Sequence, residues 1–164
     1  MLIWVIPVLV GVVVIGWLLW RPLRSFLEDV RTEKAKELFA LERERLEAKF
    51  GDLAASSGLP RGLRWKHIEW DDGVVFLRSR RTGELAALVG VTVYFEPIPG
   101  EGLEENPNAR VPRDATAVFQ FTNQHWVATG RVLFNMDPSL AIRHYERTHE
   151  VLSVLPGKQH ADNA

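Results

Sequence analysis

Val74-Val75-Phe76-Leu77-Arg78-Ser79-Arg80-Arg81-Thr82-Gly83-Glu84-Leu85-Ala86-Ala87-Leu88-Val89-Gly90-Val91-Thr92-Val93-Tyr94-Phe95 is the stretch on which the fold turns. Two runs rich in β-branched and aromatic residues flank a Thr82-Gly83 pair, the chemistry of a tight turn, so the stretch reads as an antiparallel hairpin. On that reading Phe76 stands opposite Val89 and Val74 opposite Val91. Upstream, Leu63–Trp70 is a further strand, and Asp71-Asp72-Gly73 as its turn would set Ile68 opposite Phe76 and Trp70 opposite Val74. Downstream, Ala115–Thr122 and Trp126–Phe134 flank Asn123-Gln124-His125. Ala115, Ala117, Phe119 and Phe121 then pair with Trp126 or Ala128, Gly130, Val132 and Phe134 on one apolar face. The expectation is an antiparallel β-meander of about five strands.

Asp137-Pro138-Ser139 follows as a helix start, with Asp137 as N-cap and proline where its missing N–H costs nothing. Ala141, Tyr145, Thr148, Leu152 and Leu155 recur at helical spacing, predicting a C-terminal helix from Pro138 to Val154 that covers the sheet. Pro156-Gly157 stops it, and residues 157–164 read as a polar, disordered tail. No alternation of strand and helix suggests a parallel sheet, and no Gly-rich phosphate loop is present.

The chain before this domain has a different composition. Leu2 to Trp20 are nineteen residues without a charge, long enough as a helix, about 28 Å, to cross a bilayer core. Trp4 at one end and Trp17 and Trp20 at the other sit where indoles settle at membrane interfaces, and Arg21 and Arg24 follow directly. Tryptophan, arginine and proline after the run, in place of small residues at a cleavage site, argue for an anchor over a cleaved signal peptide. Basic residues concentrate on the C-terminal flank, so the positive-inside rule places the N-terminus outside and the C-terminal domain in the cytoplasm. From Pro22 to about Ala55, seven basic and eight acidic residues, with Arg21 just before them, interleave among Leu, Ala and Phe at helical spacing, predicting a charged helical stalk. A spacer, or a helix packed on the domain, is favoured over weak self-association, because no sustained heptad seam is present. Membrane-surface binding ranks last. The expected layout is residues 1–21 as transmembrane anchor, 22–57 as stalk, 58–156 as a small α+β domain and 157–164 as tail.

The whole chain of 164 residues carries 20 basic and 21 acidic side chains and no cysteine. That excludes a nucleic-acid binder working by bulk charge, a disulfide scaffold, a thiolate metal site and a cysteine nucleophile. The five histidines are scattered, and His144 and His149 are five apart, not the four that puts two imidazoles on one helical face for zinc. No complete catalytic constellation emerges, so no catalytic, cofactor or metal residue is assigned, no cofactor is expected, and an enzyme is disfavoured.

Two candidate contact regions remain. Arg78, Arg80 and Arg81 crowd the hairpin, beside Arg61, Arg64 and Lys66 on the strand expected to pair with it. This basic patch suits anionic lipid head groups or a phosphate-bearing ligand, but solvated strand ends whose arginines meet Glu69, Asp71, Asp72 and Glu84 are the favoured reading. The connection from Pro97 to Arg113 holds Glu101, Glu104, Glu105, Arg110 and Arg113 and is long enough to grip a partner or merely to cross the end of the sheet. The function expected is therefore a membrane-anchored, non-enzymatic protein-interaction or scaffolding module, with the bilayer and an unidentified protein as partners. The alternative is a small-ligand sensor or enzyme on the concave face of the sheet under the C-terminal helix, with His67, His125 and the hairpin arginines lining it. A third reading is self-assembly through stalk and sheet.

Overall fold

Six strands form one antiparallel sheet: β1 (Leu63–Trp70), β2 (Val74–Ser79), β3 (Leu85–Pro97), β4 (Arg113–Thr122), β5 (His125–Phe134) and β6 (His149–Leu155). Among the described residues two α-helices, α1 (Val5–Ser56) and α2 (Pro138–Tyr145), accompany the sheet, giving a small α+β arrangement. The computed structural model describes the backbone of residues 5–57 and 60–157 and the side chains of residues 28–57 and 60–157. The side chains of the apolar run 2–20, with Trp4, Trp17, Trp20, Arg21 and Arg24, lie outside the described residues, as do residues 158–164 of the expected tail. Among the described residues no helix is long and apolar enough to cross a membrane.

The chain divides into two compact units between Glu37 and Leu38. In the first, the described side chains form local helical contacts. Lys36 Nζ pairs with Glu33 at 2.7 Å, and Thr32 Oγ1 donates to the Glu28 carbonyl at 2.8 Å. The second unit holds the rest of α1 and the whole sheet.

The long central strand β3 organises this second unit. Its thirteen residues exceed the six of β2, so one edge of β3 has room for two partners. β2 pairs with the first part, Val75 opposite Leu88 and Arg78 opposite Leu85. β1 pairs with the second, Trp70 opposite Val91 and Leu63 opposite Pro97. This corrects the meander expected from the sequence, since β1 and β2 do not form a hairpin but lie end to end along β3. Asp71-Asp72-Gly73 is a break in that composite strand, bridged by the Asp71 N–H donating to the Gly90 carbonyl at 3.0 Å. Arg43 of α1 closes the break from outside: its guanidinium donates to the Asp72 carbonyl at 2.6 Å and to that of Asp71, while Nε donates to Glu47 at 2.6 Å.

The β2–β3 register also differs from the expected one. The connection is a four-residue loop, 80–83, rather than a two-residue turn, with the Ser79 N–H donating to Glu84 O at 2.8 Å and the Gly83 N–H to Ser79 O at 2.9 Å. Phe76 therefore faces Ala87 rather than Val89. A slide of two residues preserves the side-chain alternation, so every residue assigned to the core face stays on it. The β4–β5 hairpin forms with Ala115 opposite Phe134 and Ala117 opposite Val132 as expected, but a bulge at Gly130 leaves that residue out of the ladder and sets Phe119 opposite Ala128 and Phe121 opposite Trp126.

Downstream of β5 the expected C-terminal helix is corrected. α2 starts where the Asp137 cap places it, with Leu140 N–H donating to Asp137 Oδ1 at 2.8 Å, but it ends at Tyr145. Thr148 N–H then turns back to the Tyr145 carbonyl, and His149–Leu155 runs as β6 along the free edge of β2, Ser79 opposite His149 and Val74 opposite Leu155. The physical reason is that β2 would otherwise leave a row of backbone donors and acceptors unpaired, and Val151-Leu152-Ser153-Val154 has the β-branched character to supply a ladder. The sheet thus has six strands rather than five.

Both faces of the sheet are covered. On one, α1 lays down Phe39, Leu46, Phe50 and Ala54, all buried and spaced at seven, four and four residues. Phe39 meets Phe76, Phe119 and Trp126 edge-on at 5.6, 5.4 and 5.0 Å, and Phe50 meets Trp70 at 5.4 Å. Helix packing on the domain, one alternative for the stalk, is what Leu38–Ser56 do. On the other face α2 inserts Ala141 among Val75, Leu77, Leu88 and Val118, with Ile142 and Tyr145 alongside. Burial from both sides explains why Ala87 to Val91 are buried without alternation.

Candidate functional site

The sheet divides the sequence-named arginines into two groups. Because β1 pairs with the far half of β3, Arg61, Arg64 and Lys66 stand at the opposite end of that strand from Arg78, Arg80 and Arg81. The single patch expected from the sequence is therefore split. Arg64 is paired with Glu96 at 2.6 Å. Arg80 lies against the start of β6, its N–H donating to Thr148 O at 2.9 Å and its Nε to His149 O at 3.2 Å. Arg81 is exposed at the turn, and Arg78 is half-buried opposite Glu150.

The connection after β3 is folded rather than loose. Ile98 N–H donates to Gly62 O at 3.0 Å. Leu103 sits so close to Gly62 that a Cβ there would come within 2.7 Å of Leu103 Cδ1. A single 3₁₀ turn, Pro107–Arg110, capped by Asn106, buries Ala109. Glu104 is spent on the loop itself: its carboxylate accepts from its own N–H and that of Gly100, which holds its pKa below the usual carboxylate value. Glu101 and Glu105 are exposed, Arg110 ends the 3₁₀ turn, and Arg113 opens β4 with its guanidinium 5.7 Å from the Phe95 ring. The acids and arginines of this segment do not converge on one point.

Beside the loop, the sheet face left open by α2 carries a polar row. Tyr94 Oη donates to Glu69 at 2.9 Å, which raises the Tyr94 pKa, since the bond favours the phenol, with burial and the Glu69 charge adding to it. Thr92 Oγ1 donates to Asp114 at 3.1 Å, and the His67 ring lies 5.8 Å from that of Tyr94. An open groove of about 430 Å³ adjoins this row, lined by Val111, Pro112, Asp114, Asn135 and Leu140 among others. Its carboxylates are already engaged, Asp114 by Thr92 and Asp137 by the α2 cap. Among the described residues no group of three or more His, Asp or Glu side chains is placed to hold a metal ion. The space beneath α2 is filled by its own core. His67 on β1, opposite Tyr94, and His125 at the start of β5, opposite Thr122, stand at opposite ends of the sheet, so His67 lines no common site with His125 or the hairpin arginines.

One feature escaped the sequence reading. β6 closes the strand order at one side, and among the described residues nothing pairs with its outer edge. Val151, Val154 and Leu155 are 41, 54 and 50% exposed, in a run from Val151 to Leu155 without a charge. Both β1 and β6 carry a bulge, but the outer edge of β1 also carries Arg64, Lys66, His67 and Glu69, charges that discourage strand addition. The β-branched Val151 and Val154 were the available signal, masked by a coincident helical spacing. The chain matches no known family model, and no curated protein or solved structure is significantly similar to it.

Proposed function

We propose that this chain is a single-pass membrane-anchored protein whose α+β domain is a non-enzymatic interaction module, and that its partner is a protein supplying an extended segment to the free edge of β6. The observation that carries the reading is that edge, apolar and uncharged from Val151 to Leu155 and interrupted only by a bulge at Leu152. It offers backbone hydrogen bonds for affinity and alternate side-chain contacts for selectivity, the physics of strand addition. The filled layers on both sides of the sheet support a binding surface over an internal active site. The anchor rests on the uncharged run 2–20 and its tryptophan flanks, and the cytoplasmic placement of the domain on the basic residues that follow.

The test uses the full-length protein with a photo-crosslinking residue at position 154. A discrete adduct with a different protein is expected, lost when Val151 and Leu155 are both changed to lysine and not formed from the same probe at position 98. An adduct only with a second copy, or none at the β6 edge, overturns the reading. Protease attack on a C-terminal tag from outside intact cells overturns the topology.

A further inference from the structure

The corner where β2, α2 and β6 meet gathers guanidinium groups that sequence order separates. Arg80 is bonded to the backbone of Thr148 and His149. The His149 ring packs on Tyr145 at 4.8 Å, and the Arg131 guanidinium lies 6.0 Å from the Tyr145 ring. Arg143 and Arg147 flank Tyr145 on α2 and the turn that follows, and Arg81 adjoins Arg80. Six arginines, 78, 80, 81, 131, 143 and 147, thus stand against Glu84, Glu146 and Glu150. Arg81, Arg131, Arg143 and Arg147 are exposed and form no ion pair among the described residues. Glu84 is held by Thr82 Oγ1 at 2.9 Å.

The compact unit also begins at this end of the sheet. Phe39, its second residue, rests on Phe76 and Trp126, three and four residues respectively from the β2–β3 turn at Ser79 and the β4–β5 turn at Thr122. Leu38 follows Trp20, the last residue of the uncharged run, by eighteen positions. The end of the domain that carries these exposed guanidiniums is therefore the end at which the second unit begins.

We infer that this arginine corner docks on the anionic lipid surface of the membrane that holds the anchor, fixing the orientation of the domain and leaving the β6 edge free for its partner. Guanidinium groups suit this role, since each can take phosphate oxygens in bidentate fashion and is weakly hydrated. Attraction to an anionic leaflet grows with each basic residue near the surface and decays within a Debye length. The inference rests on the anchored reading of the chain, and the test separates the two.

Full-length protein is incorporated into nanodiscs of neutral phosphatidylcholine or of phosphatidylcholine with anionic phosphatidylglycerol, and backbone hydrogen exchange is followed in residues 79–84 and 140–150. Slower exchange in the anionic discs alone is expected, lost at high salt and in the variant Arg81→Glu, Arg143→Glu, Arg147→Glu. The exposed positions of that variant leave the core intact, and unchanged exchange in residues 85–93 verifies this. Equal exchange in the two discs overturns the inference while the anchor stands. Protection by free inorganic phosphate or by an oligonucleotide, without a requirement for anionic lipid, also overturns it. Failure of the chain to enter discs of either composition overturns the anchored reading itself.

Discussion

Single residues decide how closely the layers approach. Gly130 lies in the β5 bulge with φ of 71°, and a Cβ there would meet Leu53 Cβ at 3.0 Å and the Ala54 nitrogen at 3.1 Å. The backbone conformation and the helix both exclude a side chain. Gly130→Ala is expected to cost about 2–4 kcal/mol, the sum of a left-handed alanine and an overpacked contact, read by chemical denaturation. Arg43 acts through the opposite device, a cation that satisfies two carbonyls at the β1–β2 break. Because it is partly solvated, water replaces some of those bonds, and Arg43→Met should cost about 1 kcal/mol. A loss above about 3 kcal/mol, the upper range for hydrogen bonds to a charged group, would mean that the break depends on Arg43 more than its exposure allows.

At the scale of elements, the sequence was legible where local chemistry and tertiary need agree. The Asp137 cap, the β4–β5 hairpin and the core faces of β2 and β3 follow from residue type and period alone. Three features were not legible, and each depends on something distant. The pairing of β1 depends on β3 being longer than β2, which no local window shows. The end of α2 at Tyr145 depends on the unpaired edge of β2, which converts His149–Leu155 to strand although Leu152 and Leu155 continue the helical stripe. The arginine corner depends on both, because only β6 brings Thr148 and His149 against Arg80. That junction also carries a pH dependence. His149 is held below its ordinary 6.5 by burial and then by the charge of Arg131. The folded state thus favours the neutral ring, and the unfolded chain binds the extra proton first as pH falls. The contribution is complete above about pH 6.5 and is lost as pH drops through the lowered value. Melting temperature followed from pH 8 to 5 should fall more steeply for the native chain than for His149→Gln. Glu104 acts in a separate, lower window, its contribution present above about pH 4.5 and lost below it. Parallel curves for the two proteins between pH 7 and 5 would remove His149 from the account.

For the whole molecule the decisive boundary is the one between arm and domain. Composition places it near Ser56–Gly62, where small residues, Gly and Pro interrupt the helix, yet the packing extends the domain back along α1. Phe39, Leu46 and Phe50 are 1, 2 and 0% exposed, and they cover the sheet face that holds Phe76, Phe119 and Trp126. Burying a large apolar side chain contributes about 1.5–3 kcal/mol, so these three supply about 5–9 kcal/mol. That is comparable with the whole stability of an ordinary domain, about 5–15 kcal/mol. A fragment starting at Glu28 should therefore unfold cooperatively and keep a dispersed near-ultraviolet spectrum. One starting at Pro60 retains every strand and α2, but it exposes a continuous aromatic face and should aggregate or collapse without fixed packing. Adding the peptide 33–57 in trans should restore cooperative unfolding, since the helix brings back the missing layer. A soluble, cooperatively folded fragment from Pro60 onward would show that α1 only rests on the sheet, and the arm would then be a spacer along its full length.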